Sequence, residues 1–181
     1  MNFIFLDIDG VLNWYNTYFE DDTHTRLREV PLDDECIENL KKLTEQFECQ
    51  IILSSSWRRG LNDDLTPRYS DGNCAALIAK LNEFGMSLCG KTPTIDSDTE
   101  WYWTRGNEIV QYLRTNAKAG DNFVVLDDDN VIKDSTAIPR GILRKHFVHT
   151  DFMNGGFNEK ALNKAIEILN DKTDLWRGIL E

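Results

Sequence analysis

Long hydrophobic runs are missing from this sequence. No stretch of about 18 or more consecutive apolar residues occurs in the chain, which argues against a membrane-spanning helix. The N-terminus also lacks the basic start, apolar middle and small-residue cleavage site of a secretory signal peptide. We therefore expect a cytoplasmic protein with no membrane partner.

Cysteine is scarce, and its four residues are widely spaced: Cys36, Cys49, Cys74 and Cys89. They form no C-x-x-C pair, and no histidine stands near them at zinc-finger spacing. The sequence thus predicts neither a zinc site nor a disulfide framework. Because free cysteine is most often buried, we expect buried thiols.

Positive charge is also in short supply. The chain has 20 Lys and Arg against 31 Asp and Glu, a net charge of -11. Because non-specific binding to phosphate backbones depends on clustered Lys and Arg, this balance argues against a general nucleic-acid coat protein. A local basic groove is still compatible with it, since two short segments at residues 57–60 and 139–146 carry positive charge. The alternative for both segments is ordinary surface charge.

Internal repeats, low-complexity tracts and Gly/Ser linkers are absent as well. With 41% hydrophobic residues, the chain has enough apolar material for a core. We therefore predict a single domain over residues 1–181, with no obligate protein partner.

What is present is a set of short apolar runs bounded by polar or turn residues. They cover residues 3–7, 49–54, 123–128 and, more weakly, 146–150. Near-continuous apolarity is typical of strands buried on both faces of a parallel sheet. These runs therefore predict four parallel strands.

Helical patterns alternate with the apolar runs. One follows Pro31 with Asp33 or Asp34 as its cap, a second stops at Gly85, a third begins near Gly106 and a fourth begins near Asn158. The alternation predicts an α/β fold: a Rossmann-like open, mostly parallel sheet with helices on both faces. The least periodic segments, residues 12–32, 60–72 and 91–104, are predicted to be loops over the site.

Polar side chains follow three of the predicted strands. Asp7 and Asp9 come after the first, residues 54–56 (all Ser) after the second and residues 127–129 (all Asp) after the third. Ligands of open parallel sheets bind beyond the carboxyl ends of the strands. We therefore expect these side chains to form one site.

Carboxylates brought together at one sheet edge repel one another, and burying unpaired charges costs several kcal/mol per ion. A divalent cation would offset that repulsion. With oxygen donors and no His or Cys nearby in sequence, the preferred ion is Mg²⁺ before Ca²⁺. The alternative is that Asp7 and Asp9 merely end a strand and open a turn, as Asp often does. Gly10 fits a backbone that turns and approaches a phosphate, with its amide as a donor.

The residues at these strand ends resemble a known family. "DIDGV" at residues 7–11, directly after an apolar strand, resembles the first motif (D-x-D-x-[VT]) of the haloacid dehalogenase (HAD) superfamily of phosphohydrolases. "IILSSSW" at 51–57 resembles the second motif, an apolar strand ending in Ser or Thr. "VVLDDD" at 124–129 resembles the fourth motif, an acidic pair after a strand. The resemblance implies a HAD-like fold.

The third motif of that family is a basic residue at a helix start, and "TRGNEI" at residues 104–109 fits it through Arg105. The family more often has Lys there, so Lys91 is a rival candidate. In this order the four motifs resemble those of the small HAD domain of Swiss-army-knife RNA repair proteins, over nearly the whole chain.

The resemblance implies a covalent phosphatase mechanism. Asp7 is the implied nucleophile that forms an aspartyl-phosphate, and Asp9 the implied proton donor and base. The implied Mg²⁺ site uses the Asp7 carboxylate, the Asp9 carbonyl, Asp127 and Asp128. Asp129 could replace either of the last two, because strand ends are placed only to within a few residues.

Phosphate oxygens are implied to contact Ser54 and Arg105, with Gly10 at the turn beside them. Ser55 is an alternative to Ser54 for the reason given for Asp129. Trp57 and Arg58 are possible substrate contacts, because aromatic and basic side chains in loops can stack on bases and hold a single strand. The alternative is that such aromatics anchor loops or the core.

The segments between the motifs are short, and they show no large cap domain over the site. An open site suits a bulky substrate such as a nucleic-acid end or a phosphoprotein. The resemblance to RNA repair proteins implies a role in RNA or DNA repair, so a polynucleotide 3'-phosphate end is the favoured phosphorylated substrate. Small-molecule phosphatase activity on nucleotides or sugar phosphates is the first alternative. A receiver-type phosphoacceptor is less favoured, because the acidic motifs occur in the opposite order, and a binding module is a further alternative.

Overall fold

The computed structural model describes residues 1–18, 31–68, 72–95, 105–130 and 140–171. Strands and helices alternate along these residues. In chain order they are β1 (Asn2–Leu6), α1 (Tyr15–Tyr18), α2 (Asp34–Phe47), β2 (Cys49–Leu53), a 3-10 helix (Ser56–Gly60), α3 (Asn73–Glu83), β3 (Leu88–Lys91), α4 (Arg105–Asn116), β4 (Asn122–Asp127), α5 (Arg140–Lys145), β5 (Phe147–His149) and α6 (Glu159–Asn170).

The five strands form one parallel sheet in the order β3-β2-β1-β4-β5. This confirms the predicted α/β fold class. In the central register, Leu6 pairs with Leu53 on one side and with Leu126 on the other. The residues that follow these three, Asp7, Ser54 and Asp127, therefore lie side by side at the carboxyl edge of the sheet.

Both faces of the sheet are covered. On one face, buried strand residues such as Ile4, Leu6 and Leu53 pack with residues of α2, α3 and α6. On the other, Phe3 and Phe5 pack with residues of α4 and α5. Burial on both faces explains why the central strands are almost continuously apolar.

The predicted helix boundaries largely hold. The Asp33 carboxylate accepts a hydrogen bond from the Cys36 N–H and caps α2, and Asn158 caps α6 through the Ala161 N–H. The helix expected to stop at Gly85 ends at Glu83, and Gly85 follows with a φ of 76°. Such a positive φ is the conformation that ends helices and favours glycine.

Strand β3 was not predicted. It is a short edge strand, it contains Gly90, and its pairing with β2 shifts register between Ile51 and Ile52. It therefore lacks the apolar run that marks the central strands. The expectation of buried thiols is correct for Cys36 and Cys74, holds only in part for the half-buried Cys49, and is wrong for Cys89, which is exposed on this edge strand.

Every strand in the described part of the chain belongs to this sheet, so those residues contain no second sheet of a cap domain. Parts of the three predicted loops, among them Trp101, Tyr102 and Trp103, lie outside the described residues. None of the described helices combines the length and the apolarity needed to cross a bilayer. The single-domain organisation stays a prediction.

Candidate active site

Main-chain hydrogen bonds of the sheet continue one residue past the ends of β1 and β2. The Asp7 N–H donates to the Leu126 carbonyl at 3.0 Å, and the Ser54 N–H donates to the Leu6 carbonyl at 2.8 Å. The side chains at the sheet edge are thus attached to a backbone that the ladder holds in place.

Three carboxylates converge at that edge. One oxygen from each of Asp7, Asp127 and Asp128 lies within 4.8 Å of the others. Asp7 and Asp127 are buried, and Asp128 is half-buried. Asp129 is not part of this group; its N–H donates to an Asp127 carboxylate oxygen at 2.9 Å. Of the three consecutive aspartates, the first two therefore join Asp7.

Arg105, the first residue of α4, reaches into the cluster. Its Nη1 lies 2.5 Å from an Asp127 oxygen and 3.2 Å from an Asp7 oxygen, and the residue is buried. Lys91 lies elsewhere, because its ammonium donates to the carbonyls of Leu61 and Asn62. The structure thus brings Arg105, and not Lys91, to the carboxylates.

Burial and mutual repulsion perturb the titration of this cluster. Burial, together with the charges of Asp7 and Asp129, raises the pKa of Asp128 to about 7. The pKa of Asp127 is likewise well above its ordinary value, because burial and the Asp7 charge outweigh the neighbouring guanidinium. Burial alone would lower the pKa of Arg105, but Asp7 and Asp127 raise it overall. One guanidinium does not neutralise three carboxylates.

The cluster fits a hard divalent cation. Asp7 Oδ1 is buried and has no hydrogen-bond partner among the described residues, although a buried carboxylate oxygen ordinarily has one. The donors are carboxylate oxygens without His or Cys, a set that suits Mg²⁺. Asp7, Asp127 and Asp128 are therefore the side chains that could hold the ion.

Gly10 lies directly against the cluster. Its φ is 76°, and a Cβ at this position would overlap the carboxyl group of Asp128. Its N–H was expected to point at phosphate, but it donates to Asn13 Oδ1 at 3.1 Å. Gly10 therefore makes space for Asp128 while its amide is used within the turn.

The Asp9 carboxylate is not a member of that group of three and accepts N–H groups from two directions. Asn13 Nδ2 donates to Oδ1 at 3.1 Å, and the indole Nε1 of Trp57 donates to Oδ2 at 3.0 Å. Trp57, which is predicted as a substrate contact, is half-buried and lies beside Asp9 through this hydrogen bond. Asn13 was missed, since nothing in the sequence marks one polar residue of the turn as a partner of Asp9.

The two serine candidates differ in what their hydroxyls do. Ser54 is buried, and its Oγ has no partner within the described parts of the chain. The Ser55 Oγ accepts a hydrogen bond from the Trp57 N–H at the start of the 3-10 helix. The Ser54 hydroxyl is thus available to a ligand, whereas the Ser55 hydroxyl is occupied as a cap.

Arg58 does not lie where a substrate contact was expected. It is buried, and its guanidinium donates to the carbonyls of Ser54 and Ser55 and, at 2.6 Å, to Glu108. Glu108 also accepts from the Ile95 N–H. Arg58 points from the 3-10 helix into the interior, where the buried carboxylate of Glu108 on α4 offsets its charge. The role of Glu108 was missed because its partner is 50 residues away.

The chain matches the model of a known protein family. The model of the family described as "HAD domain in Swiss Army Knife RNA repair proteins" matches residues 3–161. This range includes all the carboxylates described above, Ser54 and Arg105. Neither a curated protein nor a solved structure matches the chain significantly.

Proposed function

The chain belongs to the family of HAD domains in Swiss Army Knife RNA repair proteins and is a phosphatase-type hydrolase, and on this premise we propose that it hydrolyses phosphomonoesters with Asp7 as nucleophile and Mg²⁺ as cofactor. The observation that carries the proposal is the cluster of Asp7, Asp127 and Asp128 around the Arg105 guanidinium. Membership of a hydrolase family argues against the receiver and binding-module alternatives.

In the proposed reaction, a carboxylate oxygen of Asp7 attacks phosphorus, and the bond from phosphorus to the leaving oxygen breaks. Asp9 gives its proton to that oxygen, which leaves as an alcohol. Asp9 then takes a proton from the water that hydrolyses the aspartyl-phosphate, so that phosphate is released and Asp7 is restored. Support for assigning the attack to Asp7 comes from its position beside Arg105 at the sheet edge.

The non-bridging phosphate oxygens are assigned to Ser54 and Arg105. The Ser54 hydroxyl lacks a partner among the described residues. A guanidinium carries five N–H donors in a planar fork, so Arg105 can contact phosphate while it holds carboxylates. Ser55 and Lys91 are not assigned to phosphate, since both are engaged elsewhere.

Mg²⁺ is assigned to the Asp7, Asp127 and Asp128 carboxylates together with the Asp9 main-chain carbonyl. When bound, the ion would offset the negative charge that the cluster and a phosphate share. The buried Asp7 oxygen without a partner supports this assignment.

A HAD phosphatase domain acts on phosphorylated substrates, and we propose a polynucleotide 3'-phosphate end as the substrate here. Two observations support this substrate. The family is described as a domain of RNA repair proteins, and the described residues contain no cap-domain sheet. Activity on nucleotides or sugar phosphates is the alternative that the experiment must distinguish.

The test is phosphate release from a panel: an aryl phosphate, nucleoside monophosphates and oligonucleotides with 3'- or 5'-phosphates. We expect turnover that EDTA removes and Mg²⁺ restores, with preference for the 3'-phosphorylated oligonucleotide. Asp7→Asn should abolish it, because an amide is neither a nucleophile nor an anionic ligand.

The matched control is Glu45→Gln, which removes an exposed carboxylate whose only described ion pair is the 3.8 Å contact with Lys41. It lies near the end of α2, just before the amino end of β2, so it belongs to the opposite edge of the sheet. Turnover that survives in Asp7→Asn would contradict the assigned nucleophile. Preference for a nucleoside monophosphate would replace the proposed substrate.

A further inference from the structure

We propose that Trp57 and Asn13 are positioning residues: they hold the Asp9 carboxyl group in the orientation from which it gives its proton to the leaving oxygen. The inference rests on the function proposed above. It assigns a role to two side chains that the catalytic scheme does not use, and for Trp57 this role is distinct from the base stacking predicted from the sequence.

Each oxygen of Asp9 receives one of these N–H groups. Asn13 donates to Oδ1 at 3.1 Å, and Trp57 donates to Oδ2 at 3.0 Å. Rotating the carboxyl group would break both hydrogen bonds, and each carboxyl oxygen keeps a second lone pair, one of which can carry the proton that Asp9 gives. The two donors therefore restrict Asp9 to one orientation.

The orientation of the Asn13 amide is itself determined by the turn. Asn13 is fully buried, and its Oδ1 accepts the Gly10 N–H at 3.1 Å. Because the oxygen of the amide must face this donor, the NH₂ group must face Asp9. The turn that carries Asp9 thus supplies one of the two donors.

Trp57 supplies the second donor from the 3-10 helix that follows β2. Its N–H donates to Ser55 Oγ at 3.4 Å, and its carbonyl accepts from Cys74 Sγ at 3.2 Å. The indole ring packs against the core on the face covered by α2, α3 and α6. The ring is therefore held from several sides, and its N–H connects the segment after β2 to the segment after β1.

The position of a proton donor matters most when the leaving group is poor. An alcohol leaving group must be protonated as the bond to phosphorus breaks, whereas an activated phenolate leaves without that help. A defect in Asp9 positioning should therefore depend on the leaving group. A general loss of structure should affect both substrates alike.

The experiment compares kcat/KM of the wild type and Trp57→Phe on two substrates: the alcohol phosphate that the wild type hydrolyses fastest, and 4-nitrophenyl phosphate. We expect Trp57→Phe to lose about tenfold on the alcohol phosphate, part of the roughly 10²- to 10⁴-fold that general-acid help supplies. On the nitrophenyl ester the loss should be small. Asp9→Asn should show the same selectivity with a larger loss.

The control is Trp14→Phe. Trp14 is also half-buried and packs against the same core, and its indole N–H also donates to a carboxylate, that of Asp33 at 2.9 Å. Trp14→Phe should change kcat/KM for both substrates by the same factor. Thermal unfolding of the two variants then shows whether they lose comparable stability.

Three outcomes are distinguishable. A selective loss on the alcohol phosphate in Trp57→Phe, absent from Trp14→Phe, supports the positioning role. An equal loss on both substrates, or no loss, overturns it and leaves the proposed phosphatase function intact. A wild-type protein that releases phosphate from neither substrate overturns both proposals.

Discussion

At the scale of a single residue, Gly10 limits how the acidic cluster can be arranged. The φ of 76° alone would be unfavourable for any residue with a side chain. The second constraint is spatial, since a Cβ would overlap the Asp128 carboxyl group. The two constraints can be separated, because Gly85 has the same φ and nothing within 4 Å of the site of its Cβ.

We therefore predict different outcomes for Gly10→Ala and Gly85→Ala. Gly85→Ala should lose about 1–2 kcal/mol of unfolding free energy, because alanine is strained at positive φ, and Gly10→Ala should lose more, because its Cβ also overlaps Asp128. Only Gly10→Ala should displace Asp128 and weaken Mg²⁺ binding. The measurement is the melting temperature with and without Mg²⁺, since an ion that binds the folded state raises it. An unchanged Mg²⁺ response in Gly10→Ala would contradict the proposed role of Asp128.

At the scale of elements, a buried ion pair joins the 3-10 helix to α4. Arg58 donates hydrogen bonds to the carbonyls of Ser54 and Ser55 and pairs with Glu108. Glu108 lies one helical turn after Arg105 on α4. The pair thus connects the backbone of the proposed phosphate-binding serine to the helix that carries the proposed phosphate-binding arginine. Burial lowers the pKa of Arg58, and Glu108 partly offsets this effect.

Removing one partner of this buried pair should destabilise the fold strongly, and removing the second partner as well should add little. We predict that Arg58→Met and Glu108→Leu each destabilise the fold by about 3–5 kcal/mol, because each leaves one buried charge unpaired. The double variant should cost clearly less than the sum. Urea unfolding in a double-mutant cycle measures this. The Glu45→Gln control on the exposed Lys41 pair should stay within about 1 kcal/mol of wild type. Additive losses at Arg58 and Glu108 would show that the pair is not coupled.

At the scale of the whole molecule, stability depends on a buried histidine outside the site. His146 precedes β5; its ring stacks on Phe123 with 4.0 Å between centroids, and its Nδ1 lies 2.6 Å from the Phe123 carbonyl. Its Nε2 is buried without a partner among the described residues. Burial lowers the pKa of His146, so the folded protein favours the neutral ring.

The lowered pKa of His146 makes stability depend on pH. Below pH about 6.5 this histidine binds a proton in the unfolded chain but stays neutral in the folded protein, so stability that is present above this pH is lost as the pH falls. Between pH 7.5 and 5.5 we expect a loss of up to about 1.4 kcal/mol through His146. Urea unfolding at both values should show a smaller loss in His146→Gln. His149→Gln, on an exposed side chain, is the control. An unchanged loss in His146→Gln would refute the assignment.

Much of the fold was predictable from local patterns. The apolar runs that became β1, β2 and β4 and the capping residues Asp33 and Asn158 are properties of short segments, and the structure has them where the sequence placed them. Strand β3 escaped prediction because an edge strand is held by pairing with one neighbour and needs no apolar run. The parallel order of the strands also brings Asp7, Ser54 and Asp127 to one edge, as the alternation of strands and helices implied.

The sequence by itself determined the strands with apolar runs, their polar carboxyl ends and the resemblance to a hydrolase family. Only the tertiary structure decided which of the candidates meet: Arg105 and not Lys91 at the carboxylates, Arg58 turned toward Glu108, and Trp57 directed at Asp9. The physical reason is the distance along the chain over which each kind of interaction acts. Periodicity and capping act over a few residues, whereas each of these contacts depends on how segments distant in sequence pack against one sheet.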